Sequence, residues 1–274
     1  MGKTLLVFGL GYTGQALARA LPAEWRVIGT SREGGDSLQW PGTDMAEHLD
    51  RATHLLISIA PDASGAPVLN TLTSEILACR DGFEWVGYLS TVGVYGDHQG
   101  GWVDEDTPLT PATKRGQQRV MAEAAWQAMG LPLHIFRLAG IYGPGRGPFA
   151  KVRGGTARRI IKKNQVFSRI HVEDIAQVLL ASLAKPNPDR IYNVCDDLAA
   201  PPEDVIGYAA ELLGMPVPEA VAYEAAEMSP MARSFYAESK RVRNDRIKGE
   251  LGVVLRYVDY KVGLNALFEG EGDG

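Results

Sequence analysis

The feature that most constrains the fold is a glycine-rich turn near the amino terminus. Residues 9–14 read GLGYTG, a G-x-G-x-x-G pattern that directly follows the apolar run at residues 5–8. A turn of this kind between a strand and a helix is typical of dinucleotide-binding folds. Gly9 permits the tight turn, Gly11 lets the backbone approach a diphosphate, and Gly14 lets the helix pack on the strand. We expect this segment to bind a diphosphate at the helix amino terminus, through residues Gly9, Gly11, Tyr12, Thr13 and Gly14. A glycine turn without a ligand is the alternative.

Short apolar runs alternate with helical patterns along the first 195 residues. The patterns predict strands at residues 5–8, 25–29, 55–59, 85–90, 133–139 and 191–194. They predict helices at residues 15–21, 68–80, 115–129 and 174–184. Strands that alternate with helices indicate βαβ units with right-handed crossovers, and hence a parallel sheet. The predicted fold is therefore α/β, a doubly wound sheet of the Rossmann type.

The length of the chain and the change in its sequence pattern after residue 195 predict two domains of unequal size. At about 150 residues per domain, 274 residues allow one large or two modest domains. We predict a Rossmann domain at 1–195, whose glycine-rich loop at 143–168 contributes to the substrate side, and a small α/β substrate-binding domain at 196–268. Residues 269–274 read EGEGDG and are predicted to be a disordered tail.

Charge and cysteine content exclude several classes of protein. The chain has 28 Lys and Arg against 33 Asp and Glu, so it lacks the basic excess of a nucleic-acid-binding protein. Cys79 and Cys195 are too few for a disulfide framework or a four-cysteine zinc site. No stretch reaches the ~18 apolar residues of a membrane span. We expect a cytoplasmic protein without metal, nucleic-acid or membrane partners.

The residues at the end of the second predicted strand indicate which dinucleotide binds. An NAD-binding chain places an acid there, about 20 residues after the glycine turn, to hold the ribose 2′-hydroxyl. Here the positions are Thr30, Ser31 and Arg32, and the first acid is Glu33. A hydroxyl and a guanidinium suit a 2′-phosphate. The sequence therefore favours NADP over NAD, although a solvated loop arginine is the alternative for Arg32.

Four further blocks support a family resemblance over almost the whole chain. Residues 88–96 read YLSTVGVYG, 137–144 read RLAGIYGP, 170–176 read IHVEDIA and 191–194 read IYNV. In order and spacing, the chain resembles the short-chain dehydrogenase/reductase superfamily, in its extended or atypical epimerase/dehydratase branch. The G-x-G-x-x-G spacing points to an atypical subgroup. The resemblance implies an NAD(P) cofactor and a small-molecule substrate with a hydroxyl or carbonyl group, such as a sugar nucleotide.

The resemblance also assigns catalytic positions, and one of them is altered. Thr91, four residues before Tyr95, falls where the family has its catalytic Ser or Thr; the alternative is a hydroxyl that caps backbone. The family Tyr-x-x-x-Lys motif falls on Arg115 and Arg119. Arg119 can hold the cofactor ribose, but Arg115 cannot act as a base because a guanidinium does not deprotonate in proteins. Proton transfer then requires Tyr95, a water molecule or the substrate itself.

Two literal Tyr-x-x-x-Lys matches occur outside the expected helix. They are Tyr236 with Lys240 and Tyr257 with Lys261, both in the predicted second domain. The topology does not place a lysine there beneath a nicotinamide, so we expect surface helix residues. The less favoured alternative is that Tyr236 reaches into the active site from the substrate domain.

The sequence evidence for the remaining candidate site residues is weaker. The resemblance places Asp44 against the adenine amine, while a turn aspartate is an equal alternative. It places Ala60 and Pro61 beside the diphosphate and nicotinamide ribose, with contacts through backbone and shape. His171 and Asp174 are expected to be a structural pair.

Two functional hypotheses follow from the altered motif. The first is an NADP-dependent oxidoreductase, epimerase or dehydratase-like enzyme in which Thr91 orients the substrate oxygen. The second is a non-catalytic NADP-binding sensor or regulatory protein.

A homodimer that pairs through the helices at 68–80 and 115–129 is also possible. The stripe formed by residues 120, 121, 124 and 128 is, however, more typical of a helix face that points into the core.

The first prediction concerns cofactor preference. Because Ser31 and Arg32 replace the acid of NAD-binding chains, NADPH should bind at least about tenfold tighter than NADH, ~1.4 kcal/mol. The exchange Arg32→Asp should abolish or invert this preference. Fluorescence titration with both cofactors measures it, and equal affinities in the unmodified protein contradict the assignment.

Overall fold

The computed structural model describes residues 2–272 and contains thirteen strands in that range. They are β1 (Thr4–Phe8), β2 (Arg26–Ser31), β3 (Leu38–Gln39), β4 (His54–Ile57), β5 (Trp85–Thr91), β6 (Trp102–Val103), β7 (Leu133–Leu138), β8 (Gly140–Tyr142), β9 (Arg159–Ile161), β10 (Arg169–His171), β11 (Arg190–Val194), β12 (Ala220–Ala222) and β13 (Arg241–Val242).

Ten α-helices lie between these strands or follow them. They are α1 (Tyr12–Ala20), α2 (Ala46–Arg51), α3 (Pro67–Ala78), α4 (Lys114–Gln127), α5 (Phe149–Arg153), α6 (Val172–Ala184), α7 (Pro202–Leu212), α8 (Pro230–Phe235), α9 (Asp245–Gly249) and α10 (Tyr260–Gly272). The predicted tail at 269–274 overlaps α10 as far as Gly272, and its last two residues lie outside the described part.

Seven strands form one parallel sheet, which confirms the predicted fold class. The order is β11-β7-β5-β4-β1-β2-β3, so β1 lies between β2 and β4. Along β1, Leu5 and Val7 enter one apolar core while Leu6 and Phe8 enter the other. A strand buried on both faces is continuously apolar, as the run at residues 5–8 is.

Helices cover both faces of this sheet. Leu17 of α1 and Leu179 of α6 belong to the core on one face. Leu49 of α2, Ile76 of α3 and Trp126 of α4 belong to the core on the other face. Because all seven strands are parallel, their carboxyl ends and the loops that follow them meet at one edge, where ligands bind in doubly wound folds.

A smaller group of elements stands over that edge. Three two-stranded parallel ladders, β8–β10, β9–β12 and β6–β13, connect segments that are far apart in sequence. A third core contains Phe149 of α5, Ala209 of α7 and Leu264 of α10. The segment around α5 therefore packs with the carboxyl-terminal helices α7 and α10.

The outer face of α4 differs from the sequence-based expectation. Met121 is 60% exposed, and Ala124 and Ala128 are exposed as well. Val120 packs against the core, so three of the four positions of the stripe do not face it. The helix instead buries Ala122, Glu123 and Trp126. The sequence pattern misled because alanine and methionine mark either face equally well.

Two negative findings apply to residues 2–272. None of the helices in this range combines the length and apolarity that crossing a membrane requires. No group of three His, Cys, Asp or Glu side chains in the same range converges to hold a metal ion.

Candidate functional site

The glycine turn joins β1 to α1 and leaves the amino terminus of α1 open. Gly9 has φ +89°, a conformation that side chains rarely adopt, and a Cβ there would lie 2.9 Å from Ile59 Cγ1. At Gly14 a Cβ would approach Val7 Cγ1 to 3.2 Å, which shows how closely α1 packs on β1.

The space above Gly11 suits a phosphate group. Gly11 precedes the first turn of α1, no side chain caps that end, and the first turn contains no acid. A Cβ on Gly11 would meet no atom within 4 Å. Unpaired N–H groups, the positive end of the helix dipole and open space together fit the diphosphate of a dinucleotide.

The end of β2 presents a hydroxyl in a turn and a solvent-exposed guanidinium. Ser31 Oγ accepts a hydrogen bond from Gly34 N at 3.0 Å and lies 3.1 Å from Gly34 O, so it closes the turn. Arg32 is exposed, and no ion pair or side-chain hydrogen bond joins it to another of the residues 2–272. Its charge is available to a ligand phosphate.

Asp44 has the local role of a turn residue. Its Oδ1 accepts a hydrogen bond from Ala46 N at 3.0 Å, at the start of α2. This bond occupies one carboxylate oxygen and favours the turn interpretation over the adenine contact.

A cavity of about 750 Å³ lies between the carboxyl edge of the sheet and the smaller group of elements. Predicted site residues line its sheet side, namely Thr13, Ala60, Pro61, Thr91, Arg115 and Arg119. The opposite wall contains Phe167, Arg169, Glu238 and Lys240, which the sequence did not place there. It also contains Tyr236, which the sequence placed there only as the less favoured alternative.

Thr91 lies at the carboxyl end of β5, half-buried on the wall of the cavity. Its Oγ1 accepts a weak hydrogen bond from Gly93 N at 3.2 Å. The hydroxyl therefore caps the following turn, as the alternative reading anticipated, and still has a hydrogen to donate towards the cavity.

The helix α4 brings both arginines of the altered motif to the cavity. A Cβ at Gly116 would lie 2.8 Å from Gly93 O, so this glycine allows α4 to approach the turn after β5. Arg119 Nη1 donates to Leu89 O at 2.6 Å and to Tyr88 Oη at 3.3 Å. Arg115 is exposed to the cavity and makes no such bond within residues 2–272.

Tyr95 is not a candidate for proton transfer, which corrects its assignment from sequence. Its side chain is fully buried and does not line the cavity. Tyr95 Oη donates to Asn193 Oδ1 at 2.7 Å and accepts from Arg137 Nη1 at 2.9 Å. Burial raises the pKa of this phenol to about 12, so it keeps its proton and stabilises the core.

The Tyr236–Lys240 segment is not a surface helix, contrary to expectation. Helix α8 ends at Phe235, and both Tyr236 and Lys240 line the cavity. The ring of Tyr236 packs edge-on against Phe167 at 5.7 Å, and no hydrogen bond joins its hydroxyl to another of the residues 2–272. Lys240 Nζ donates to Glu238 Oε2 at 2.7 Å. In the sequence, the Tyr-x-x-x-Lys spacing is the pattern that indicates these two residues as candidates for the site.

Tyr257 and His171 have structural roles. Tyr257 Oη donates to Glu173 Oε2 at 2.9 Å, and its ring contacts the tilted ring of His171, with centroids 3.8 Å apart. His171 Nδ1 accepts from Glu173 N at 3.3 Å, and burial lowers the pKa of His171 to about 4. The carboxylate of Asp174 accepts from Arg256 N and Tyr257 N. None of these four side chains lines the cavity.

Cations outnumber acids on the cavity walls. The cationic side chains are Arg115, Arg119, Arg146, Arg169 and Lys240, whereas Glu238 is the acid and is already paired with Lys240. Arg169 donates to Phe167 O and Ala200 O at 2.9 and 3.1 Å, which leaves its charge without a carboxylate partner in these bonds. The cavity therefore favours an anionic ligand.

Comparison with known proteins identifies the family. The model of the NAD dependent epimerase/dehydratase family matches residues 68–195. Protein YeeZ of Escherichia coli (strain K12) is 31% identical over 245 residues, which cover 79% of this chain and 86% of YeeZ. The chain belongs to the NAD dependent epimerase/dehydratase family.

Two solved structures share the fold of this chain. A conserved protein of unknown function from Silicibacter pomeroyi is 61% identical, with a TM-score of 0.93 over 99% of both chains. UDP-glucuronic acid 4-epimerase from Bacillus cereus, in complex with UDP-glucuronic acid and NAD, is 18% identical, with a TM-score of 0.77 over 98% of this chain and 99% of that one. At this identity the second likeness shows the fold alone. Membership of an NAD dependent family supports a nicotinamide cofactor.

The geometry at Gly11 generates the second prediction. Gly11 has extended backbone (φ −90°, ψ −156°) that valine adopts, so Gly11→Val should cost the fold no more than about 1 kcal/mol of capping energy. The branched carbons would fill the space that a diphosphate must enter. Dinucleotide affinity, measured by fluorescence titration, should fall at least about tenfold.

The matched control is Gly82→Val. Gly82 is equally open, and it lies in the turn before β5, at the opposite edge of the sheet. Unchanged binding in Gly11→Val, or an equal loss in both variants, would show that the glycine turn does not hold the cofactor.

Proposed function

We propose that this protein is an NADP-dependent enzyme of the oxidoreductase or epimerase type, acting on an anionic small molecule with a hydroxyl or carbonyl group. The observation that carries this proposal is the open cavity of about 750 Å³ beside Thr91. A regulatory protein that only senses the dinucleotide has no need for a substrate-sized space there.

The cofactor is assigned to the carboxyl edge of the sheet. The first turn of α1 would hold its diphosphate, Arg32 its 2′-phosphate, and Ala60 and Pro61 would border the path towards the cavity. When bound, a nicotinamide dinucleotide supplies hydride transfer. The preference for NADP rests on the exposed Arg32 and on the lack of an acid at the end of β2.

Thr91 and Tyr236 are proposed to orient the substrate from opposite walls. Thr91 has a hydroxyl hydrogen to donate to a substrate oxygen. Burial raises the pKa of the Tyr236 phenol, so it keeps its proton at neutral pH and acts as a hydrogen-bond donor rather than as a base.

The two arginines of α4 are proposed to have different tasks. Arg119 is tied to the end of β5 through Leu89 O, so its guanidinium is a fixed positive charge near the cofactor ribose. Arg115 faces the cavity freely and would bind an anionic group of the substrate. A sugar nucleotide satisfies both the charge and the hydroxyl requirement, and the fold relative from Bacillus cereus is described with UDP-glucuronic acid.

The altered motif favours a second candidate, a non-catalytic NADP-binding sensor. Arg115 cannot accept a proton, so the site lacks the base that a phenol would provide at this position. General acid–base catalysis contributes roughly 10²–10⁴-fold to rates, and its loss would leave the cofactor site intact.

Restoring the motif separates the two candidates. In a screen with NADP and NADPH, the unmodified protein should turn over common sugar nucleotides and small alcohols slowly. Arg115→Tyr combined with Arg119→Lys should raise the rate at least about tenfold, because a phenol and its lysine then face the substrate. The readout is absorbance of the reduced cofactor at constant cofactor affinity.

The control places the same residue types on the outer face of the same helix. Gln117→Tyr with Met121→Lys has the same spacing, and both positions are exposed. Fast turnover by the unmodified protein would contradict the claim that the lost tyrosine limits this site. No turnover in any variant, with tight NADP binding, would favour the sensor.

A further inference from the structure

The loop after β8 is attached to the glycine turn. Tyr12 Oη donates to Pro144 O at 3.0 Å, across 132 positions of sequence. Gly143 has φ +153°, and a Cβ there would lie 2.5 Å from Tyr12 Oη. Glycine at this position is therefore what allows the loop at 143–148 to sit on the first residue of α1.

This loop brings Arg146 to the same place. Gly143 and Arg146 exchange two backbone hydrogen bonds of 2.9 Å, which close the loop into a tight hairpin. The guanidinium carbon of Arg146 lies 5.7 Å from the centre of the Tyr12 ring. Arg146 and Thr13 both line the cavity.

The positive charge of Arg146 has no acidic partner. Among residues 2–272, no carboxylate forms an ion pair with it, and its side chain is exposed. The neighbouring first turn of α1 contains no acid either. Two positive elements, a helix amino terminus and a guanidinium, thus face the same space without a counter-charge.

We propose that Arg146 contacts the diphosphate of the bound dinucleotide, so that the loop at 143–148 closes over the cofactor opposite the N–H groups of α1. This inference rests on the proposed function in one respect, that a dinucleotide binds at the glycine turn. A guanidinium suits the task because its N–H groups pair with phosphate oxygens in a fixed geometry.

Two different arginines would then contact the two phosphate-bearing groups of the cofactor. Arg32 lies at the end of β2 and would meet the 2′-phosphate, whereas Arg146 would meet the diphosphate. The two contacts are therefore separable by ligands that carry only one of these groups. ADP-ribose has the diphosphate without the 2′-phosphate, and 2′-AMP has the 2′-phosphate without the diphosphate.

Calorimetric titration of these ligands tests the proposal. Arg146→Gln should weaken NADP⁺ and ADP-ribose about tenfold and leave 2′-AMP unchanged. Arg32→Gln should weaken NADP⁺ and 2′-AMP and leave ADP-ribose unchanged. Arg146→Lys, which retains the charge, should recover part of the lost affinity. Lys151→Gln removes an exposed charge outside the cavity and should change nothing.

The outcomes distinguish this inference from the proposed function. If Arg146→Gln binds ADP-ribose normally, or loses 2′-AMP to the same extent, the diphosphate contact is wrong while the cofactor site stands. If the unmodified protein binds neither NADP⁺ nor ADP-ribose, the proposed function fails and this inference fails with it. A melting temperature of Arg146→Gln equal to that of Lys151→Gln would show that the loss does not come from unfolding.

Discussion

The parallel pairing of β1 with β2 and β4 is the constraint on which the rest of the site depends. Parallel strands send all their carboxyl ends to one edge, and helices on both faces leave that edge as the open one. Gly9 and Gly14 allow α1 to start at this edge in contact with β1. The glycine turn, Thr91 and the start of α4 meet there because the carboxyl ends of parallel strands lie at the same edge.

Arg115 and Arg119 of α4 lie on this edge, and we propose that they replace the tyrosine and lysine of the family motif. Gly116 still allows α4 to approach the turn after β5, and Arg119 still contacts the end of that strand. Arg115 places a permanent cation at the cavity. Together with Arg146 and Arg169, it gives the cavity a positive character that selects ligands by charge as well as by shape.

Elements with strong local signals were predictable from the sequence. The glycine turn and the apolar β1 follow from spacing and periodicity, whereas the Thr91 position follows from the family resemblance. The structure places the turn, the end of β1 and Thr91 at one edge. The position of Glu238 and Lys240 on the opposite wall was not predictable, because it depends on ladders between distant segments such as β6 and β13. The Tyr-x-x-x-Lys spacing indicated Tyr236 there only as the less favoured alternative. Tyr95 was misassigned because spacing does not reveal that Arg137 and Asn193 bury its hydroxyl.

The most direct test of the central claim is a crystal structure of the protein with NADP⁺. We predict that the dinucleotide lies along the carboxyl edge of the sheet, with its nicotinamide C4 open to the cavity between Thr91 and Arg115. A nicotinamide whose C4 is covered by side chains, with no substrate-sized space beside it, would contradict an active site here.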